Sequence, residues 1–214
     1  FILKEFNIFE KLLLYTKKNN SGFSKIKNPY IYGEVSISRT ARYFPATLIF
    51  KPLIILSAFF LFMYWKNNLN LFNSLKNNNI LTNFSKNFFY LGLLSAIFLI
   101  LHASLLGVTV DSKIYVAMRK LIIVLFILFE VLAQIFLTKN LFRFKKHIKD
   151  YIRPIILNIK IIFVTLVIFI TFIVFCFLAW GNLESSTKHV LEWNYFSVLL
   201  VYYLLSRLLW KNIK

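Results

Sequence analysis

Residues 119–138 read RKLIIVLFILFEVLAQIFLT: two cations, then an apolar run interrupted only by Glu130, Gln134 and Thr138. About 20 such residues cross the hydrocarbon core of a bilayer as a helix. In lipid only helices and closed barrels satisfy their own backbone groups, and a run without polar alternation does not fit a barrel strand. Four further runs, at 48–65, 88–110, 154–180 and 190–210, have the same character. The fold expected is therefore all-α, a polytopic transmembrane helical bundle with five helices visible. Phe1 in place of Met suggests a fragment, and a helix lost before it would make six. The chain divides at 47: a polar, basic N-terminal segment over 1–47, then a transmembrane helical domain over 48–214.

Composition agrees. Of 214 residues 59% are hydrophobic, 25 are Phe, and Lys and Arg number 26 against 8 acids. A net charge of +18 on a soluble chain would point to nucleic acid. Here the cations fill the gaps between apolar runs, where they meet lipid headgroups and set topology, so no nucleic-acid partner is expected. The partners expected are membrane lipid and a membrane protein or a second copy of the chain. Cys176 stands alone in an apolar run, which leaves no disulfide framework and no thiolate cluster. With five Gly in the chain there is no phosphate-cradling loop and no nucleophile elbow. His102, Asp111, His189 and Glu192 lack metalloprotease spacing, so neither a metal nor a cofactor is expected.

The segment 139–153 carries Lys139, Arg143, Lys145, Lys146, Lys149 and Arg153 against Asp150, and the positive-inside rule assigns it to the cytoplasm. The polar connection 66–87 and the tail with Lys211 follow it there. The turn at 111–118, the loop 181–189 and residues 1–47 then face outside. The basic N-terminal segment reads as an external loop or as an amphipathic helix on the membrane surface. Pro45, Pro52 and Pro154 fall near expected helix starts, where a missing N–H costs little. The localisation is that of a multi-pass integral membrane protein, in the plasma or inner membrane of a bacterium or the endomembranes of a eukaryote.

Ionisable groups at membrane depth are costly and usually face the bundle interior, so they are where function is sought. His102, Asp111, Arg119, His189 and Glu192 gather toward the outer leaflet in this topology. There Arg119 would hold a phosphate and His189 with Glu192, three residues apart on one helical face, would transfer protons as the catalytic pair. Glu192 also reads as an acid complementing the start of its helix, and His102 as a packed histidine. Glu130 and Gln134 lie deeper, as the lining of a transport path or as a structural pairing of Glu130 with Lys120 or Arg207.

His189, Glu192 and Trp193 form H-x-x-E-W at the start of the last apolar run, and NPYIYGEVSISRTARYFPATLIF precedes the first. Both resemble the damage-regulated autophagy modulator (DRAM) family, whose superfamily includes the FRAG and Sfk proteins and the GPI-anchor lipid-remodelling factors related to the Cwh N-terminal domain. Ile37, Ser38 and Thr40 match the loop pattern of that family, and Pro45, Ile49 and Phe50 follow at similar spacing. Arg39 stands where the family prefers Asp, and Ala41 where it prefers Gly. The resemblance implies six helices, both ends in the cytoplasm, and a role in membrane lipid homeostasis, with Ser38 and Thr40 joining the lipid-binding residues. Lipid binding or remodelling is accordingly the first function expected. A transporter or channel component working through Glu130 is the second, and a non-catalytic scaffold or accessory protein the third.

Overall fold

The computed structural model describes residues 28–33, 36–37, 46–80, 83–106, 112–179 and 184–211. Six helices run through them: α1 Pro29–Tyr32, α2 Ala46–Asn77, α3 Asn87–Leu105, α4 Lys113–Arg143, α5 Pro154–Ala179 and α6 Ser185–Leu209. Among the described residues the one extended pairing is an isolated antiparallel bridge between Ile152 and Trp210. The architecture is the all-α helical bundle that the apolar runs predict.

Four of the helices, α2, α3, α4 and the Pro154–Val174 part of α5, are long and apolar enough to cross a membrane. Their outer faces carry exposed Phe59, Phe60, Leu121, Ile162, Phe169 and Phe172. A surface like that aggregates in water and costs nothing against lipid tails, so the chain is membrane-embedded. The fifth expected span is helical as α6 but is not among the four. Glu192, Asn194, Tyr195, Tyr202 and Tyr203 dilute its apolar character.

Several boundaries differ from those expected, among them residues 139–143 and 185–189, expected as connections, which belong to α4 and α6. Residues 66–77, expected as a polar connection, continue α2, because Trp65, Asn68, Phe72 and Leu75 recur at helical spacing and are buried. Residues 113–118, expected as a turn, are already α4. Pro52 sits inside α2 rather than at its start, a position tolerated where neighbouring helices support the backbone. Pro154 does open α5. The end of α2 is a Schellman turn, with Ile80 N–H donating to Leu75 O at 3.0 Å, Asn79 N–H to Lys76 O at 3.0 Å, and Asn79 in the left-handed region at φ 56°.

Packing follows chain order: α2 on α3, α3 on α4, α4 on α5 and α5 on α6. The core centres on Trp65, Phe72 and Phe88, with Leu137, Leu141 and Ile148 behind them. Trp65 reaches α3 because residue 92 is Gly; a Cβ there would stand 2.4 Å from the indole. After α4 the chain turns tightly through 144–151, burying Phe144, Ile148 and Ile152 beneath the bundle. Arg153 N–H then donates to Leu209 O at 2.9 Å and Lys211 N–H to Tyr151 O at 3.0 Å, fastening this connection to the end of α6. One end of the bundle is thereby strongly basic, with Lys139, Arg143, Lys145, Lys146, Lys149, Arg153, Arg207 and Lys211 against Asp150.

A candidate site in the buried polar core

The Glu130, Gln134 and Thr138 stripe of α4 faces inward, at 0%, 4% and 6% exposure. The Glu130 carboxyl lies where α3, α4 and α6 meet and is held by all three. Ser95 Oγ of α3 donates to its Oε2 at 2.6 Å. Gln134 Nε2, one turn along α4, donates to Oε1 at 3.0 Å, and the Tyr203 hydroxyl of α6 donates to the same oxygen. All of these donors are neutral. No salt bridge joins Glu130 to Lys120 or Arg207, both of which are exposed, so the ion pairing expected for Glu130 is replaced by hydrogen bonds from uncharged side chains.

A second buried group lies on the α6 side. Lys160 of α5 is 1% exposed. Its Nζ donates to Ser206 Oγ at 2.7 Å and stands 4.3 Å from the centroid of the Tyr202 ring. Ser206 in turn donates to Tyr202 O, one turn back, at 2.9 Å. Among the described residues no carboxylate pairs with Lys160. Tyr64 of α2 packs edge-on against Tyr203 with centroids 5.0 Å apart, and Asn68 Nδ2 donates to Tyr64 O at 2.8 Å. The five long helices each contribute at least one polar side chain to this core.

Between α2 and α6 runs a cleft of about 400 Å³, lined by Tyr64, Asn67, Asn68, Leu71, Tyr203, Ser206, Arg207 and Trp210. It reaches both groups, since Tyr203 touches Glu130 and Ser206 touches Lys160.

Of the outer-leaflet residues expected from sequence, His102 and Arg119 lie near each other, and His189 and Glu192 lie on the first turns of α6. His102 is buried near the end of α3 with no partner for its Nδ1 among the described residues, and Arg119 lies close enough to act on it electrostatically. The Arg119 guanidinium also lies 6.0 Å from the Tyr115 ring centroid. His189 is half-buried at the start of α6, with Nδ1 2.9 Å from Gly33 O; a carbonyl only accepts, so Nδ1 donates. Beside it Asn194 Nδ2 donates to Tyr30 O at 3.0 Å and the Trp193 ring meets Tyr30 at 5.6 Å. The first turns of α6 therefore dock the short helix α1, and Glu192 is half-buried on the same stretch. Asp111, Ser38 and Thr40 lie outside the described residues.

Sequence reading passed over Lys160, Ser206, Tyr202, Tyr64 and Asn68. A signal existed for Lys160, a cation inside the apolar run IILNIKIIFVTLVIF. It lies close to the basic connection 139–153, where a lysine near a helix end ordinarily snorkels to the interface. No protein-family model matches this chain, and no curated protein or solved structure shows significant similarity to it.

Proposed function

We propose that this integral membrane protein is a transport component in which Glu130 is the exchangeable acid of the path. The observation that carries the reading is a fully buried carboxyl with no cationic partner among the described residues, held by neutral donors from three helices. Helix adhesion alone is served by Ser, Thr, Gln and Tyr, which hydrogen-bond between helices without the cost of an acid at membrane depth. An acid held by three separate helices is also one whose surroundings change when any of those helices moves. The cleft beside Tyr203 supplies a route toward it from the basic end, which the positive-inside rule assigns to the cytoplasm.

The test uses proteoliposomes loaded with a pH-sensitive dye under an imposed potential. Wild type is expected to carry protons inward, Glu130→Gln to abolish that flux with unchanged melting, and His189→Ala to leave it intact. A wild-type flux no greater than that of empty liposomes, or one retained by Glu130→Gln, overturns the reading.

One observation favours a second reading, lipid binding on the opposite side of the membrane. The buried imidazole of His102 has an Nδ1 unpartnered among the described residues, with the Arg119 guanidinium nearby, a pairing suited to a phosphate headgroup. Kinship with the DRAM superfamily is proposed with it, supported by the position of His189, Glu192 and Trp193 in the opening turns of the last helix. Native mass spectrometry of the purified chain checks both: phospholipid retained by wild type and lost in Arg119→Ala with His189→Ala is the expected result, and equal retention sinks it.

A further inference from the structure

We infer that the Lys160–Ser206 pair at the inner wall of the α2–α6 cleft is a binding site for a small oxyanion, a phosphate or carboxylate group. The site shares its cleft with Tyr203 but uses none of the groups that hold Glu130, and it does not depend on the transport reading.

Three observations converge on it. The first is charge. Lys160 is nearly fully buried among helices that face lipid, and among the described residues its amine meets one hydroxyl and one aromatic face. Protonated there without a counter-charge, the amine would be costly to hold, and the ammonium would have three donors, of which Ser206 takes one. The buried acid of the core, Glu130, is committed to Ser95, Gln134 and Tyr203. A ligand that supplies negative charge removes the cost.

The second is a group of neighbouring hydroxyls. The oxygens of Tyr64, Tyr202 and Thr138 are buried and, as oriented, make no well-aligned hydrogen bond among the described residues. Tyr64 lies beside Ser206, Tyr202 and Asn68, and Tyr202 beside Thr138. Hydroxyls this close can turn toward one another or toward an entering acceptor, and they adjoin Lys160 through Ser206 and Tyr202. An oxyanion offers acceptor oxygens in several directions at once and suits a ring of O–H and N–H donors.

The third is access. Tyr64, Asn68 and Ser206 line the cleft, with Arg207 among its walls. Arg207 and Trp210 carry the lining to the end of α6, where Lys211 and Arg153 lie. A surface of that sign concentrates anions before they enter. The same chemistry suits a free anion from the aqueous side and the headgroup of an acidic lipid sliding in between α2 and α6.

Trp210 lines the cleft, so its fluorescence reports occupancy. The experiment titrates the purified full chain at constant ionic strength with inorganic phosphate in neutral detergent. A parallel arm compares the chain in nanodiscs of phosphatidylcholine with discs containing one-fifth phosphatidylglycerol. Wild type is expected to respond saturably. A response to phosphate identifies a free anion as sufficient, and one confined to the phosphatidylglycerol discs identifies the lipid headgroup. Lys160→Met, which fills the same space without charge, is expected to melt no lower than wild type and to weaken binding by roughly thirtyfold or more. Ser206→Ala is expected to weaken it in the same direction. No response from wild type in either arm, or equal responses from wild type and a folded Lys160→Met, overturns the site.

Discussion

Gly92 and Trp65 are in contact in a way that allows no side chain at position 92: a Cβ built there stands 2.4 Å from indole atoms Cγ and Cδ2. The rigid ring cannot yield as the end of a flexible chain would. Gly92→Ala is therefore expected to cost about 1–3 kcal/mol, the usual range for overpacking, read as a lower melting temperature of the purified protein. Trp65→Leu in the same chain should return part of the loss, since the pair is coupled. A Gly92→Ala protein that melts with wild type would mean that α2 and α3 do not approach at this point.

Around Glu130, removal of single donors should separate adhesion from function. Ser95→Ala takes the donor from Oε2 and Tyr203→Phe takes one from Oε1. Interhelical hydrogen bonds inside membranes contribute about 0.6 kcal/mol on average and up to roughly 1.7. Each change should therefore lower stability only modestly. Ser95→Thr, which keeps the hydroxyl, should be milder than Ser95→Ala. If either deletion unfolds the chain outright in detergent melts, the cluster is a structural keystone and the transport reading loses its main support.

The position of Glu130, Gln134 and Thr138 on one inward face was legible because polar residues at i, i+4 and i+8 stand out in a lipid-soluble run. The partners were not. Ser95 and Tyr203 were visible as polar residues on their own helices, but which helix meets which is a tertiary fact that no periodicity within one helix encodes. The continuation of α2 through 66–77 was hidden for another reason. Asn and Lys on its outer side outweigh the buried Asn68, Phe72 and Leu75 in a composition reading, although their spacing is helical. Lys160 was hidden by its nearness to a basic connection, where a lysine is ordinarily solvated.

The Schellman turn after α2 puts Asn79 at φ 56°, a conformation that Asn tolerates and β-branched residues do not. Asn79→Gly is expected to be close to neutral, and Asn79→Val to lose about 1–2 kcal/mol through the turn that seats Ile80 against the core. Paired thermal melts of the two variants decide it. Equal melting would show that the chain leaves α2 differently.

The docking of α1 on α6 bears on how any effect of His189 is interpreted. His189 donates to Gly33 O, Asn194 donates to Tyr30 O, and Gly33 itself, at φ 56°, has Ser186 O 2.0 Å from where a Cβ would be. These contacts hold the same six residues, 28–33, against the start of α6. Losing one hydrogen bond of about 1 kcal/mol should speed local opening roughly fivefold. Hydrogen exchange of the Ile31, Tyr32 and Gly33 amides should therefore rise to a similar degree in His189→Ala and Asn194→Ala, and more in Gly33→Ala. If His189 also transfers protons with Glu192, His189→Ala and Glu192→Gln will lose activity while Asn194→Ala, equally loosened, keeps it. If all the loosening variants lose activity in proportion to their exchange rates, His189 acts by holding α1 in place and the proton-transfer role is excluded.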